Sequence, residues 1–413
     1  MNNFKLAELL EKIIDNRGKT PPLVETGFEL IESSSLVGDR KYPYYNSISK
    51  YVTSHIFNTW FRSGHPQKND ILIATVGANI GSVAIMGENR GCIAQNLVAL
   101  RVKINLIDPH YLFYFLFWDR TNKLLKNLDI GAAQPSIKVP HLLEIEIPLP
   151  KIGIQIKIGT ILSAYDDLIE CNTRRIRILE EMAQAIFREW FVHFRFPGHE
   201  GMRMVESELG LVPEEWEVRK LGDIAEEVRR NVEPNNLDSN IPYFGLEHIP
   251  RKSIALSDWG FAKNVQSTKH KFFKGEILFG KIRPYFHKVG VAPVDGVCSS
   301  DAIVIRPKKS EYFGLVLFCV SSEDFVNHAT QTSQGTKMPR ANWNVLVNYP
   351  VVIPPKLLLD EFNNIASDMV DLIITKIFQN TNLRCTRDLL LPKLISGWID
   401  VSELDIRIPE AEA

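Results

Sequence analysis

The sequence is short of most features that would place it in a special chemical class. Its 413 residues include five cysteines (Cys92, Cys171, Cys298, Cys319 and Cys385), scattered and never in a CxxC pair. That spacing argues against a disulfide frame or a zinc site, and the five are read as reduced, mostly buried thiols. Charge of one sign is missing too. With 48 Lys and Arg against 49 Asp and Glu, the net charge is −1, so any site for a polyanion has to be a local patch. The longest uncharged apolar run, YLFYFLFW (111–118), falls far short of the ~20 residues that cross a bilayer. The opening MNNFKLAELLEKIID has no signal-peptide apolar centre, so a cytoplasmic protein with no membrane partner is expected.

Catalytic signatures are equally scarce. RGKT (17–20) looks like the end of a phosphate loop, but Ile13 stands where that loop needs its first glycine, and Pro21-Pro22 follow where its helix should begin. A plain turn is the better reading. HExxH, GxSxG and GxGxxG do not occur, and neither Pro-Pro step has the Asn/Asp-Pro-Pro-aromatic pattern of amino-methylating enzymes. Asp166, Asp167 and Glu170 read as the solvated face of a helix. No catalytic residue and no metal site is expected.

What the sequence does contain is itself, twice. KNDILIATVGANIGSVAI (68–85) returns as KGEILFGKIRPYFHKVGV (274–291), displaced by 206 positions (274 − 68). GAAQPSIKVPHLLEIEIPLP (131–150) returns as GTKMPRANWNVLVNYPVVIPP (335–355), and Asp167-Leu168-Ile169 as Asp371-Leu372-Ile373, at an offset of 204 (371 − 167). Such self-similarity marks one structural unit used more than once. Each copy runs from short alternating strands such as DILIATV and EILFGKI into a Pro-rich strand end, then into a helical pattern of roughly 40 residues. A helix is also expected at 109–128. At ~1.5 Å per residue the long helices would reach about 60 Å, too long to be buried in one domain of this size.

The apolar seams, Ile161, Tyr165, Leu168, Asn172, Ile176, Leu179, Met182, Ile186 and Trp190 in one helix and Phe362, Ile365, Met369, Leu372, Lys376, Leu383, Leu390 and Leu394 in the other, step by threes and fours or by their sum of seven. That is the spacing of helices that pack on each other. Because the chain runs domain, helix, domain, helix, the pair is expected to be antiparallel, with Pro392 disturbing its last turns. The fold class expected is mixed α/β: two globular domains (1–148 and 218–354) separated by two long helices (149–195 and 355–398) that form an antiparallel coiled coil. An internal pseudo-twofold repeat relates the halves. A linker (196–217) and a C-terminal tail (399–413) complete the chain. Ile154, Ile156 and Ile158 are read as an apolar face awaiting another protein.

The copies differ most in the middle of the repeated stretch. In the second, Lys281, Arg283, Tyr285, His287 and Lys288 crowd into eight residues, with Gly280 and Pro284 favouring a loop that projects them. Arg and Lys clamp phosphates or the acceptor edge of guanine, and aromatic rings lie against bases or sugars. The first copy has ATVGANIGS there, with Thr75, Asn79 and Ser82, and Asn can pair bidentately with adenine, whereas Arg prefers guanine. Further contacts are expected from Gln134, Ser136 and Lys138 in one copy and from Lys337, Arg340 and Asn342 in the other; Arg90, Gln95 and Asn96 are weaker candidates. The competing readings are an exposed basic loop and ordinary turn polarity.

SELGLVPEEWEVRKLGDI (207–224), GEILFGKIRPYFHKVG (275–290), the strand ends IPLP (147–150) and VIPP (352–355), and RDLLLPKLISGWID (387–400) carry a resemblance over nearly the whole chain. It resembles the specificity subunit of type I restriction-modification systems. The resemblance implies two target-recognition domains, each reading one half of a split, asymmetric site in double-stranded DNA, with the helices as a ruler between them. It implies two methyltransferase subunits on the helices and ATP-dependent restriction subunits joining the complex. S-adenosylmethionine, ATP and Mg would belong to those partners, with no cofactor on this chain. A nuclease acting alone with an unrecognised site, and a protein scaffold with no DNA role, are the alternatives.

Overall fold

Ile71–Ala74, ILIA, is buried along its whole length and forms a centre strand of the first sheet. This is a computed structural model, and it describes residues 2–36, 38–128 and 135–406. The chain divides into two compact units: Met1–Ile169 with Asn382–Ala413, and Glu170–Thr381. Both units therefore contain pieces of both long helices.

In the first unit, antiparallel strands lie in the order Leu10–Ile14, Leu97–Val102, Ile71–Ala74, Val83–Ile85. The helix Pro109–Phe117 lays Tyr111, Leu112 and Tyr114 into the same core. Asp108 caps it by accepting from the Tyr111 amide at 2.8 Å, as an N-cap carboxylate should. The single helix expected at 109–128 is two, because Trp118 takes extended backbone (φ −54°, ψ 129°) before Asp119–Asn127 begins. A separate small sheet of Tyr51–Val52, Phe28–Ile31 and Cys92–Ile93 packs Ile31 and Ile93 against Leu72 and Ala99 of the first, and Asn2–Lys5 pairs with Glu146–Leu149.

The second unit repeats the plan. Ala225–Glu227, Ala302–Pro307, Ile277–Gly280 and Val289–Val291 make the same four-stranded order, and Glu217–Lys220 pairs with Pro350–Ile353. Helices Phe313–Val320 and Glu323–Gln331 follow as in the first copy. Its smaller sheet has five strands where the first copy has three. The stretch read as a linker contains a hairpin, Met204–Ser207 with Gly210–Pro213, and buries Phe196, Val212 and Trp216 in the core of this unit.

The long helices, Ile152–Phe191 and Lys356–Ile395, are 40 residues each. In the first unit Ile158 and Leu162 from the start of one share a core with Leu391, Leu394 and Ile395 from the end of the other. In the second, Ala183, Phe187 and Trp190 from the end of the first share a core with Phe362, Ala366 and Val370 from the start of the second. The pairing is antiparallel in each. The expected seam needs correcting at Leu168, Met182 and Leu372, which are 46%, 48% and 49% exposed. Small Ala183 and Ala366 are buried instead, 2% exposed each, and Ala366 faces Gly314 of the helix Phe313–Val320, where a larger side chain would clash. Pro392 does not stop the second helix, which continues to Ile395; so near the end, the ring removes little of the bonding ladder. Ile158 and its partly buried neighbour Ile154 pack inward on the first core rather than awaiting a partner. Asp166, read as solvated, is 5% exposed. Cys92, Cys298 and Cys319 are buried, Cys171 is partly so, and Cys385 is exposed, all of them free.

Candidate nucleic-acid interface

The two stretches singled out in each copy meet. Beyond Ile277–Gly280 the chain leaves the sheet and bonds to the later stretch: the Arg283 amide donates to the Pro339 carbonyl (2.8 Å), and the Ala341 amide donates to Lys281 (2.9 Å). Ile282 and Arg340 form a bridge there. The first unit repeats the construction. The Gly77 amide donates to the Pro135 carbonyl (3.1 Å) and the Ile137 amide to Thr75 (2.8 Å), with Val76 bridged to Ser136. One anchor thus carries two different loops.

In the second unit the loop makes a one-turn helix, Pro284–Phe286, between two non-glycine residues in left-handed backbone, Arg283 (φ 48°) and His287 (φ 51°). Such backbone costs an L-residue on the order of 1–2 kcal/mol and persists only where the surroundings impose it. It turns Tyr285 outward, 51% exposed. The Tyr285 ring meets Phe286 edge-on at 4.8 Å, and the Arg251 guanidinium lies 4.1 Å from the Phe286 ring centre. An open groove of about 500 Å³ beside the loop is lined by Glu227, Arg229, Lys281, Gln334, Arg340 and Asn342, among others. Lys337 is exposed on its rim segment and Arg340 is exposed, its guanidinium 3.8 Å from Asp301.

Two members of the basic cluster turn inward, contrary to the expected projection. His287 is buried, its Nε2 2.8 Å from the Ser321 carbonyl, and burial pushes its pKa below the usual imidazole value. Lys288 is half-buried and donates to the Leu246 carbonyl, with burial pulling its ammonium pKa down. Both hold the loop rather than face a ligand.

The first unit is less charged. Thr75 is fully buried and belongs to the anchor through its carbonyl, which accepts from the Ile137 amide, while its hydroxyl donates to the Asn96 carbonyl at 3.4 Å and faces Arg17 rather than a ligand. Asn79 is half-buried and donates to the Ser33 carbonyl at 2.9 Å, leaving its amide oxygen as the free end of that bond. Lys138 is exposed at the start of Val139–Leu143. Gln134 lies outside the described residues. Of the weaker candidates, Arg90 is clamped by Glu29 and Glu88, and Gln95 donates to Thr20.

The structure adds a pair that sequence reasoning missed. Arg17 forks onto Asp15 through Nε (2.8 Å) and Nη2 (2.7 Å) and extends Nη1 toward Thr75 and the Ile137 carbonyl at 3.5 Å. Arg17 holds the Asp15 carboxyl below its usual pKa, a forked charge-assisted bond favouring the ionised form. In the second unit Arg229 donates to Glu227 at 2.7 Å and both line the groove. The signal was an acid two places before an arginine just after the first sheet strand, DNR and EVR, recurring 212 positions apart (229 − 17). Among the described residues no group of three or more His, Cys, Asp or Glu is placed to hold a metal ion, and no helix is long and apolar enough to cross a membrane.

A family model described as the type I restriction modification DNA specificity domain matches residues 2–181 and 213–376. The type I restriction enzyme MjaIX specificity subunit of Methanocaldococcus jannaschii is 28% identical over 344 residues, 81% of this chain and 78% of that protein. The EcoDI specificity subunit of Escherichia coli is 26% identical over 271 residues, 60% of each. The crystal structure of a type I restriction-modification S subunit from M. genitalium shares the fold at a TM-score of 0.59, with 15% identity over 95% of both chains.

Proposed function

This chain belongs to the type I restriction-modification DNA specificity family, and from that premise we propose that it is the sequence-specificity subunit of such a system, each unit reading one half of a split, asymmetric duplex site. The observation that carries the reading is the shared anchor: the same two segments bond to each other in both units, while the loops they hold differ in charge and shape. A protein that reads two different words with one frame needs that combination.

In the second unit Arg283, Lys281, Tyr285, Lys337 and Arg340 are the contact set, with Arg229 added. Arginine placed in a groove beside an exposed aromatic suits bidentate reading of guanine with a ring against the backbone or a base. In the first unit Asn79, Lys138 and Arg17 take that place, and the site of Gln134 adjoins them in sequence. Thr75, His287 and Lys288 support the loops. The chain's own role is recognition, without catalysis. Two modification subunits bound to the helices would methylate adenine with S-adenosylmethionine, and restriction subunits would add ATP- and Mg-dependent translocation and cleavage. With a net charge of −1 on this chain, those partners would supply much of the phosphate contact. Such a complex works in the cytoplasm, where its DNA is.

The test is selection from random duplex DNA by this chain assembled with its modification subunits. Arg283→Ala is expected to cost about 1–3 kcal/mol and to relax one position in one half-site. A loss equal for every sequence would make Arg283 a phosphate clamp, and no loss would remove it from the interface.

A further inference from the structure

The first unit buries an ion pair where the second unit has hydrocarbon. Asp166, on the first long helix, accepts from the Tyr114 hydroxyl (2.5 Å) through one oxygen and from the Arg387 guanidinium through the other. Arg387 comes from the second long helix and also donates to the Asp39 carbonyl (3.1 Å) and carboxylate (3.3 Å) and to the Asp388 carboxylate (2.9 Å). Tyr114, Asp166 and Arg387 are 0%, 5% and 1% exposed. At the repeat offset of 204, their counterparts are Phe318 (318 − 114), Val370 (370 − 166) and Ala183 (387 − 183). Those three are 1%, 4% and 2% exposed and lie in one apolar core of the second unit.

Each unit borrows a helix end. The first is completed by the end of the second long helix, Asn382–Ile395, and the second by the end of the first, Glu170–Phe191. Because the frames are copies, a second molecule can offer each unit the wrong end as well as the right one. We propose that Tyr114, Asp166 and Arg387 are a pairing code: the first unit accepts the helix end that carries Arg387 and rejects the one that carries Ala183 from a second copy of this chain.

The physical argument is the asymmetry of buried charge. A carboxylate matched to a guanidinium in a dry site is tolerable, whereas the same carboxylate facing a methyl group is stranded. The opposite error, Arg387 inserted against Val370 and Phe318, strands a guanidinium. Both like-with-like pairings are therefore penalised, and only the unlike pairing satisfies every charge. A second layer points the same way. Within the second unit the buried Asn172 donates to Asn380 at 3.0 Å, a polar contact of the kind that fixes helix register and partner. The repeat counterpart of Asn380 is Ile176 (380 − 204), so two copies of the first helix would set Asn172 against an aliphatic side chain.

The test uses the full chain, denatured and refolded at a series of concentrations, with mass measured by light scattering after size exclusion. Wild type is expected to return as single chains. Writing the second unit's residues into the first, Tyr114→Phe with Asp166→Val and Arg387→Ala, is expected to raise the two-chain fraction at least tenfold. Writing the code into the second unit, Phe318→Tyr with Val370→Asp and Ala183→Arg, is expected to do the same by the opposite route, and it keeps the test open if the first variant fails to fold. Tyr114→Phe alone should remain single-chain, since it keeps the Asp166–Arg387 pair. Single-chain refolding of whichever coded variant folds, at every concentration, would overturn the proposal.

Discussion

Arg283 and His287 hold left-handed backbone on either side of Tyr285, so the loop's shape and its chemistry are separable by substitution. Arg283→Gly should be more stable than Arg283→Ala by about 1 kcal/mol, because glycine enters that backbone without the Cβ clash, yet both should lose recognition equally. Denaturant midpoints and binding on the same two proteins check this. His110 gives a pH prediction. Burial first, and Lys41 nearby, push its pKa well below the usual imidazole value, down to about 4. Above pH 6.5 neither folded nor unfolded chain binds that proton. Below it the unfolded chain takes it first, so the first unit loses stability progressively down to about pH 4, by on the order of 2–3 kcal/mol. His110→Gln should flatten the slope of the midpoint between pH 6.5 and 5; an unchanged slope would show that other groups carry it. The basic loop was legible in the sequence because Lys, Arg and Tyr in eight residues leave few other uses. That His287 and Lys288 face inward was not, since backbone sign at Arg283 decides it and no residue type announces it.

The long helices show the same division. Their existence, length and antiparallel pairing followed from apolar spacing and from the order of parts, as did the two sheets from alternating runs. What spacing could not supply was which stripe is dry: Ala183, Ala366 and Arg387 are core residues, while Leu168 and Leu372 are exposed. Size at a close crossing and a partnered charge override hydrophobicity there. Gly159 makes a different close approach measurable, that of the first long helix to the helix Pro109–Phe117. A Cβ at this position would come within 2.7 Å of the Asp108 carboxylate and 3.3 Å of the Tyr111 amide, the cap of the helix Pro109–Phe117. Gly159→Ala should destabilise by about 1–3 kcal/mol and lower the urea midpoint, whereas Gly153→Ala, with nothing within 4 Å, should not. The hairpin Met204–Ser207 with Gly210–Pro213 escaped notice because its Gly and Pro content reads equally well as a linker.

As a whole the chain says one thing twice in different words, and the asymmetry is where its function lies. With a near-neutral overall charge, the proposed reading leaves DNA affinity to local loops and to partner subunits, so binding by the complex should fall steeply with salt, while the preference between DNA sequences falls much less. Titrating specific and scrambled duplexes from 50 to 200 mM salt checks that separation. The most direct measurement is long-read sequencing of methylated bases in cells carrying the system, with and without the gene for this chain. The account predicts that deletion removes one motif, split and asymmetric with adenine methylated in both halves, and that Arg283→Ala blurs only one half of it. Methylation unchanged by the deletion while the modification subunits remain expressed, or the loss of an unsplit motif, would contradict it.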